Sequence, residues 1–186
     1  MEKSKIFEWE LSQVKNDRLR EVVRDYFDNV VPDYFWTIPA STTGKYHPDI
    51  DLGEGGLVRH TKMVVRVAVE LLGITMFSSL RINSDCIIAA LLVHDTMKRG
   101  EGEKYSRHDH PILASVKFME HSKKCQDFDS TLKLDTEIIC KMVESHMGQW
   151  TTSAYSPIIL PEPTTGGEKF VHLCDYIASR KFIGKL

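Results

Sequence analysis

Apolar residues recur along this chain at intervals of three and four, and that spacing predicts helices almost throughout. Over residues 8–30, Leu11, Val14, Leu19, Val22, Val23, Tyr26, Phe27 and Val30 form one stripe. It is interrupted near Lys15-Asp17 and stopped by Pro32. Residues 37–56 hold two prolines and four glycines and read as an irregular connection. A strong helical pattern then runs from about Leu57 to Leu72 and halts at Gly73. Another follows Asn83-Ser84-Asp85, a cluster of good N-cap residues, and carries Ile87, Ile88, Leu91 and Leu92 up to His94.

Residues 100–109 read as polar loop, and Pro111 suits the first turn of a helix over 111–123. Asp135 is placed to cap a helix through Ile138, Ile139, Met142, Val143 and His146, closed by Gly148. Residues 148–167 form a long loop rich in Ser, Thr, Pro and Gly, and a last helix spans about 168–182. Strand-like alternation is absent, so the fold class is all-α, a helical bundle. One domain over 1–186 is expected, with an N-terminal helix and irregular connection over 1–51 and a core over about 52–181. A loop of about 20 residues in a compact domain is usually functional or disordered. This one contains Trp150 and Tyr155, which favours function.

Composition narrows the classes. Apolar residues make up 42% and charged residues 27%, with a net charge of -2. That is too little positive charge for a general nucleic-acid binder, though a local basic pocket would still take a small nucleotide. The N-terminal MEKSKIFEWE is charged and is not a signal peptide. No stretch is expected to reach the length of a membrane span. The four cysteines are scattered without a C-x-x-C pair, so a zinc finger or disulfide framework is not indicated and a reduced, cytoplasmic setting is expected.

The candidate chemistry lies in histidines at helix ends. The run AALLVHDTMKRG ends an apolar helix in His94-Asp95. His60 falls in the first turn of a predicted helix, His110 just before one, and His146 at the end of another. His146 shares a stripe with Ile139, Met142 and Val143, and His60 with Val64, Val67, Ala68 and Leu71, so both point inward. Asp175 sits on the apolar stripe of Val171, Cys174 and Ala178, where a carboxylate is costly unless paired or metal-bound. Imidazoles with carboxylates are the ligand set of first-row divalent metals. Adjacent His94 and Asp95 would both reach one ion only where the helix ends. A bridging Asp95 would then hold two ions around one activated water.

With GGLVRHT around His60, ALLVHDTMK around His94-Asp95 and HLCDYIASR around Asp175, the chain resembles the HD-domain superfamily of metal-dependent phosphohydrolases. HPILASVKF around His110 and VESHMGQW around His146 resemble the added histidines of its two-metal branches. The resemblance implies one metal held by His60, His94, Asp95 and Asp175, and a second held by Asp95, His110 and His146. It places Lys98 near the substrate phosphate, so that Asp95 and Lys98 carry the catalysis. The implied cofactors are one or two divalent ions among Fe, Mn, Zn, Ni and Co, with Mg a weaker candidate. No GYP triplet and no histidine beside His146 occur, which argues against the cyclic-di-nucleotide branch.

Plainer roles stand beside these. His110 could be an N-cap and His146 a residue favoured by the helix dipole, leaving a single metal. His108 and His121 read as surface residues, His172 as structural and His47 as loop. Arg180 could reach the cleft one turn beyond Asp175, though solvent exposure is its commoner fate. With Lys98 and Trp150 it forms the candidate substrate-binding set. The expected partner is a small phosphorylated substrate of the nucleotide type. A membrane is not expected, long nucleic acid is disfavoured, and a homodimer is compatible. Parts of the sequence resemble small hydrolases of dinucleoside polyphosphates, and parts resemble HD domains of bacterial exoribonucleases. A nucleotide-sensing module without catalysis is the rival of a different kind.

Overall fold

The computed structural model describes residues 2–41, 43–125 and 129–184. Among them are seven α-helices and several 3-10 turns, with no strand beyond one isolated bridge between Ser153 and Ser156. The all-α expectation holds. The helices are α1 (Glu8–Ser12), α2 (Asp17–Asn29), α3 (Gly56–Gly73), α4 (Ser84–Val93), α5 (His110–Ser122), α6 (Ser130–Glu144) and α7 (Gly166–Ala178).

The bundle is organised around α4, every residue of which from Cys86 to Val93 is buried. A helix that is apolar all round must be covered all round; α2, α3, α6 and α7 pack against it. Thr75–Val93 is in fact long and apolar enough to cross a membrane by length and hydropathy, contrary to the sequence expectation. Here it divides into a 3-10 stretch, Thr75–Asn83, and the core helix α4. The 3-10 stretch buries none of its residues, so it leaves no periodic signal to read.

Three helix starts differ from expectation. Asp85 does not cap α4: its carboxylate accepts from Lys15 N (2.9 Å) and Asn16 N (2.7 Å), tying the α1–α2 break to the start of α4. Asp135 does not cap α6. Asp129 does, accepting from Thr131 N (3.0 Å) and Leu132 N (2.9 Å), so the helix begins with a turn that buries Leu132. The last helix starts at Gly166 because Thr165 and Glu168 form a reciprocal capping box. It ends at Ala178, before a separate 3-10 turn over Lys181–Gly184.

The N-terminal segment is built into the same body. Phe7 stacks on Phe27 at 4.8 Å, and Phe35 and Trp36 close the cluster. From it, two tyrosines brace the turn that follows α4. Tyr26 Oη lies 3.0 Å from Thr96 Oγ1. Tyr34 Oη accepts from Arg99 N (3.0 Å) and donates to Gly100 O (2.9 Å). At the start of α3, a Cβ on Gly56 would stand 2.0 Å from the Asp51 carbonyl oxygen. Glycine there lets the 3-10 turn Asp49–Asp51 press against α3 beside His60.

Candidate metal centre

Five helix ends converge beside the buried end of α4. His60 comes from the start of α3, His94 and Asp95 from the turn after α4, and His110 from the first residue of α5. His146 follows α6, and Asp175 lies in the last turn of α7. His60, His94, Asp95, His110 and His146 are buried, and the Asp175 side chain is one-fifth exposed.

Backbone geometry sets the protons. His94 Nδ1 lies 2.7 Å from Leu91 O, His110 Nδ1 2.6 Å from Arg107 O, and His146 Nδ1 2.7 Å from Val143 O. A carbonyl only accepts, so each Nδ1 carries the hydrogen and each ring turns its Nε2 inward. Those nitrogens face carboxylate oxygens and one another. His94 Nε2 is 3.5 Å from Asp95 Oδ2 and 3.8 Å from Asp175 Oδ1. His110 Nε2 is 2.9 Å from Asp95 Oδ1 and 3.3 Å from His146 Nε2. His146 Nε2 is 3.7 Å from Asp95 Oδ1. His94 Nε2 and Asp95 Oδ1 are buried without a hydrogen bond.

Such a buried set of imidazole nitrogens and carboxylate oxygens facing one another is unfavourable unless a proton or a metal cation joins it. The donor atoms of these residues fall into two groups, His60–His94–Asp175 and Asp95–His110–His146, and a third group, His47–Asp51–His60, adjoins the first; within each they lie inside 4.8 Å. Imidazole and carboxylate donors at that spacing fit divalent transition ions.

His60 differs from the other three. Its Nε2 lies 2.9 Å from Asp175 Oδ1 and its Nδ1 3.6 Å from Asp51 Oδ2. Burial disfavours its charge, but the two carboxylates outweigh burial and push its pKa up to about 9. A proton thus holds a place where a metal ion would neutralise the same carboxylate. Burial and the neighbouring His94 and His110 drive His146 down to about 3. His94 is also lowered, chiefly by burial. Asp95 stays well below the usual carboxylate range: burial opposes its charge, but Lys98 and His94 prevail. Asp175 is lowered likewise, burial being outweighed by His60 and His94. Lys98 Nζ donates to Asp95 Oδ2 at 2.5 Å.

A cleft of about 330 Å³ opens over this floor, with Lys98, Trp150 and Arg180 among its walls. Arg180 is therefore not a plain solvent residue; it is half-buried and faces the cleft. Tyr155, by contrast, is 98% exposed and lies away from it. His172, expected to be structural, donates from Nδ1 to His146 O at 2.8 Å. Gly148, at φ +63°, makes room for it: a Cβ there would stand 2.2 Å from the His172 ring.

One histidine expectation needs correction, and two others need closer placing. His121 is buried, not on the surface: it packs on Tyr26 at 5.7 Å with Nε2 3.3 Å from Asp25 Oδ2, and takes no part in the centre. His47 belongs to a loop, but its ring lies 4.9 Å from that of His60, and its Nδ1 is 3.7 Å from the buried Asp51 carboxylate. Sequence reasoning missed Asp51, because a carboxylate in an irregular stretch has no stripe to betray its burial. His108 is half-buried and donates from Nε2 to Thr151 O at 3.1 Å, joining the loop before α5 to the loop before α7.

No curated protein and no solved structure matches the chain. The family model described as "HD domain" matches residues 57–180, a span that contains His60, His94, Asp95, His110, His146 and Asp175.

Proposed function

The chain belongs to the HD-domain family of metal-dependent phosphohydrolases, and from that premise we propose that it hydrolyses a nucleotide or related phosphoester or phosphoanhydride. The observation that carries this reading is the ring of buried Nε2 atoms turned inward on two carboxylates. His60, His94, Asp95 and Asp175 would hold one divalent ion, and Asp95, His110 and His146 a second. Bound there, such ions supply Lewis acidity and an activated water.

The chain's own residues do the rest. Asp95 lies between the two groups and remains ionised. The Lys98 ammonium, held at Asp95, offsets charge on the phosphoryl oxygens. Trp150 and Arg180 face the same cleft and are placed to contact the remainder of the substrate. Covalent catalysis by cysteine gains no support: burial pushes the Cys86 thiol up to about 12 and the Cys140 thiol up to about 11.

The test is metal content beside turnover. Protein loaded separately with Mn²⁺, Fe²⁺, Zn²⁺, Ni²⁺ and Co²⁺ should retain close to two ions per chain. It should hydrolyse p-nitrophenyl phosphate only when loaded. A chain that retains no such ion overturns the reading. One that retains ions and binds nucleotide without turnover is a sensor.

A further inference from the structure

We propose that Trp150 and Arg180 form a recognition subsite for a nucleoside carrying a single phosphate, with the base stacked on Trp150. The fate of that phosphate rests on the phosphohydrolase reading; the subsite does not.

Trp150 is a large aromatic residue left 45% exposed, yet it is held firmly. Its ring is stacked on Tyr176 at 5.9 Å and 14°, and it meets the His172 ring at 5.8 Å. His172 in turn is bonded to the His146 carbonyl. The indole is thus an exposed plane fixed relative to the floor of the cleft. Planes of this kind accept any nucleobase, because every base has a π-face. Tyr46, the other aromatic ring in the wall, already carries Lys45 Nζ at 5.0 Å and Arg180 Cζ at 5.2 Å. That leaves Trp150 as the platform.

Arg180 is held by its own surroundings. Its guanidinium lies 4.2 Å from the Tyr176 ring and 5.2 Å from that of Tyr46. Nε is spent on Tyr176 O (3.2 Å) and Ser179 Oγ (3.3 Å), and Nη2 on Ser179 Oγ (2.8 Å). Nη1 makes no hydrogen bond, and no carboxylate pairs with Arg180 among the described residues. A stacked guanidinium with a spare N–H edge is preorganised for an anion.

Charge and size set the class of ligand. The charged residues of the cleft wall are Asp95, Asp175, Lys98 and Arg180, and Lys98 is committed to Asp95. Beyond the metal centre, to which Asp95 and Lys98 belong, Arg180 is the cation of that wall without a carboxylate partner among the described residues. It suits a phosphomonoester of about −1.5 to −2 charge, not a polyphosphate tail. Arg107, further along the loop, is bound by Asp109 at 2.7 Å and Glu103 at 2.8 Å and offers no basic track for an oligomer. The 330 Å³ of the cleft lies at the lower end of the roughly 300–1,000 Å³ of small-molecule sites. It takes one nucleoside, and a dinucleoside polyphosphate would have to leave its second half in solvent.

The test is calorimetric and uses Mn²⁺-loaded protein with non-hydrolysable ligands. A nucleoside 5′-methylenephosphonate is compared with its ribose counterpart lacking the base, and with the same nucleoside phosphonate extended by two further phosphoryl groups joined through methylene bridges. The base should tighten binding about tenfold, and the added phosphates should bring no gain. Trp150→Ala should erase the advantage of the base, and Trp150→Phe should keep most of it. Arg180→Gln should weaken both phosphonates alike and flatten their salt dependence. Equal binding with and without the base, or tenfold tighter binding of the extended ligand, would overturn the proposal. The ligand comparison is made on the wild type, so it stands even if a variant misfolds. Turnover of p-nitrophenyl phosphate by the same protein decides the phosphohydrolase reading separately.

Discussion

At the floor of the cleft, three imidazoles are each fixed by a carbonyl three residues earlier, and the carboxylate between them is 2% exposed. At the rim, Trp150 and Arg180 are held by stacking and by the turn of Ser179, with nearly half of the indole in solvent. The floor fixes which atom bears each proton. The rim fixes only the planes of its groups. A floor of this kind has few acceptable substitutes, because removing one donor leaves the others facing an uncompensated charge. A rim that recognises by stacking accepts another ring of similar shape.

The largest effect that would sharpen this contrast is at Asp95. Asp95→Ala removes the carboxylate that would serve both proposed ions, and hydrolysis should fall by at least about a thousandfold. Metal analysis should show loss of ions, and circular dichroism checks that the helices remain. Retained turnover would mean that the floor is structural.

A smaller loss is expected at His146. His146→Ala should lower the metal content from about two ions to about one, with activity falling alongside. The backbone carbonyl that receives His172 is unchanged by this substitution, so the rim should keep its ligand preference. Normal turnover with one ion in both proteins would make His110 and His146 cap and dipole residues after all.

The smallest effect concerns pH. His60 rises from 6.5 to about 9, so its contribution to stability is complete below 6.5 and is lost as pH climbs through about 9. His146 falls from 6.5 to about 3, so its contribution is complete above 6.5 and is lost as pH drops through about 3. Urea midpoints of metal-stripped protein should therefore peak near pH 6.5. Trp150→Ala should leave the position of that peak unmoved, whereas His60→Gln should flatten the alkaline side. A midpoint that rises steadily from pH 6.5 to 9 would contradict the assigned protons.

The two regions also differ in how far the sequence revealed them. His60, His94, Asp95, His110, His146 and Asp175 announced themselves by lying at helix ends or on apolar stripes, where a polar group needs a reason. The bundle followed from the same periodicity, although the cap of α6 was misplaced because Asp129 and Asp135 both suit a helix start. Only the packing of Leu132 decides between them. At the rim, Trp150 was conspicuous as an aromatic residue in a long loop. The Tyr46 and Tyr176 rings about Arg180 were not, because that arrangement depends on an irregular segment folding over the end of α7. Asp51 was hidden for the same reason, as was the 3-10 stretch Thr75–Asn83, which buries nothing.

The contact between His60 and Asp175 joins residues 115 positions apart, while His110 and His146 are 36 apart. Contacts that are distant in sequence are slow to form, since much of the intervening chain must be ordered first. Asp175 arrives with α7, so its docking is the closure that completes the centre. A chain arrested before that step would present its histidines in the wrong company, able to capture an ion without the carboxylate that finishes the site. If the chain hydrolyses a phosphate ester as proposed, turnover would be a readout of the completed topology, and a chain without docked α7 would be silent in an activity assay even with most of its helices formed.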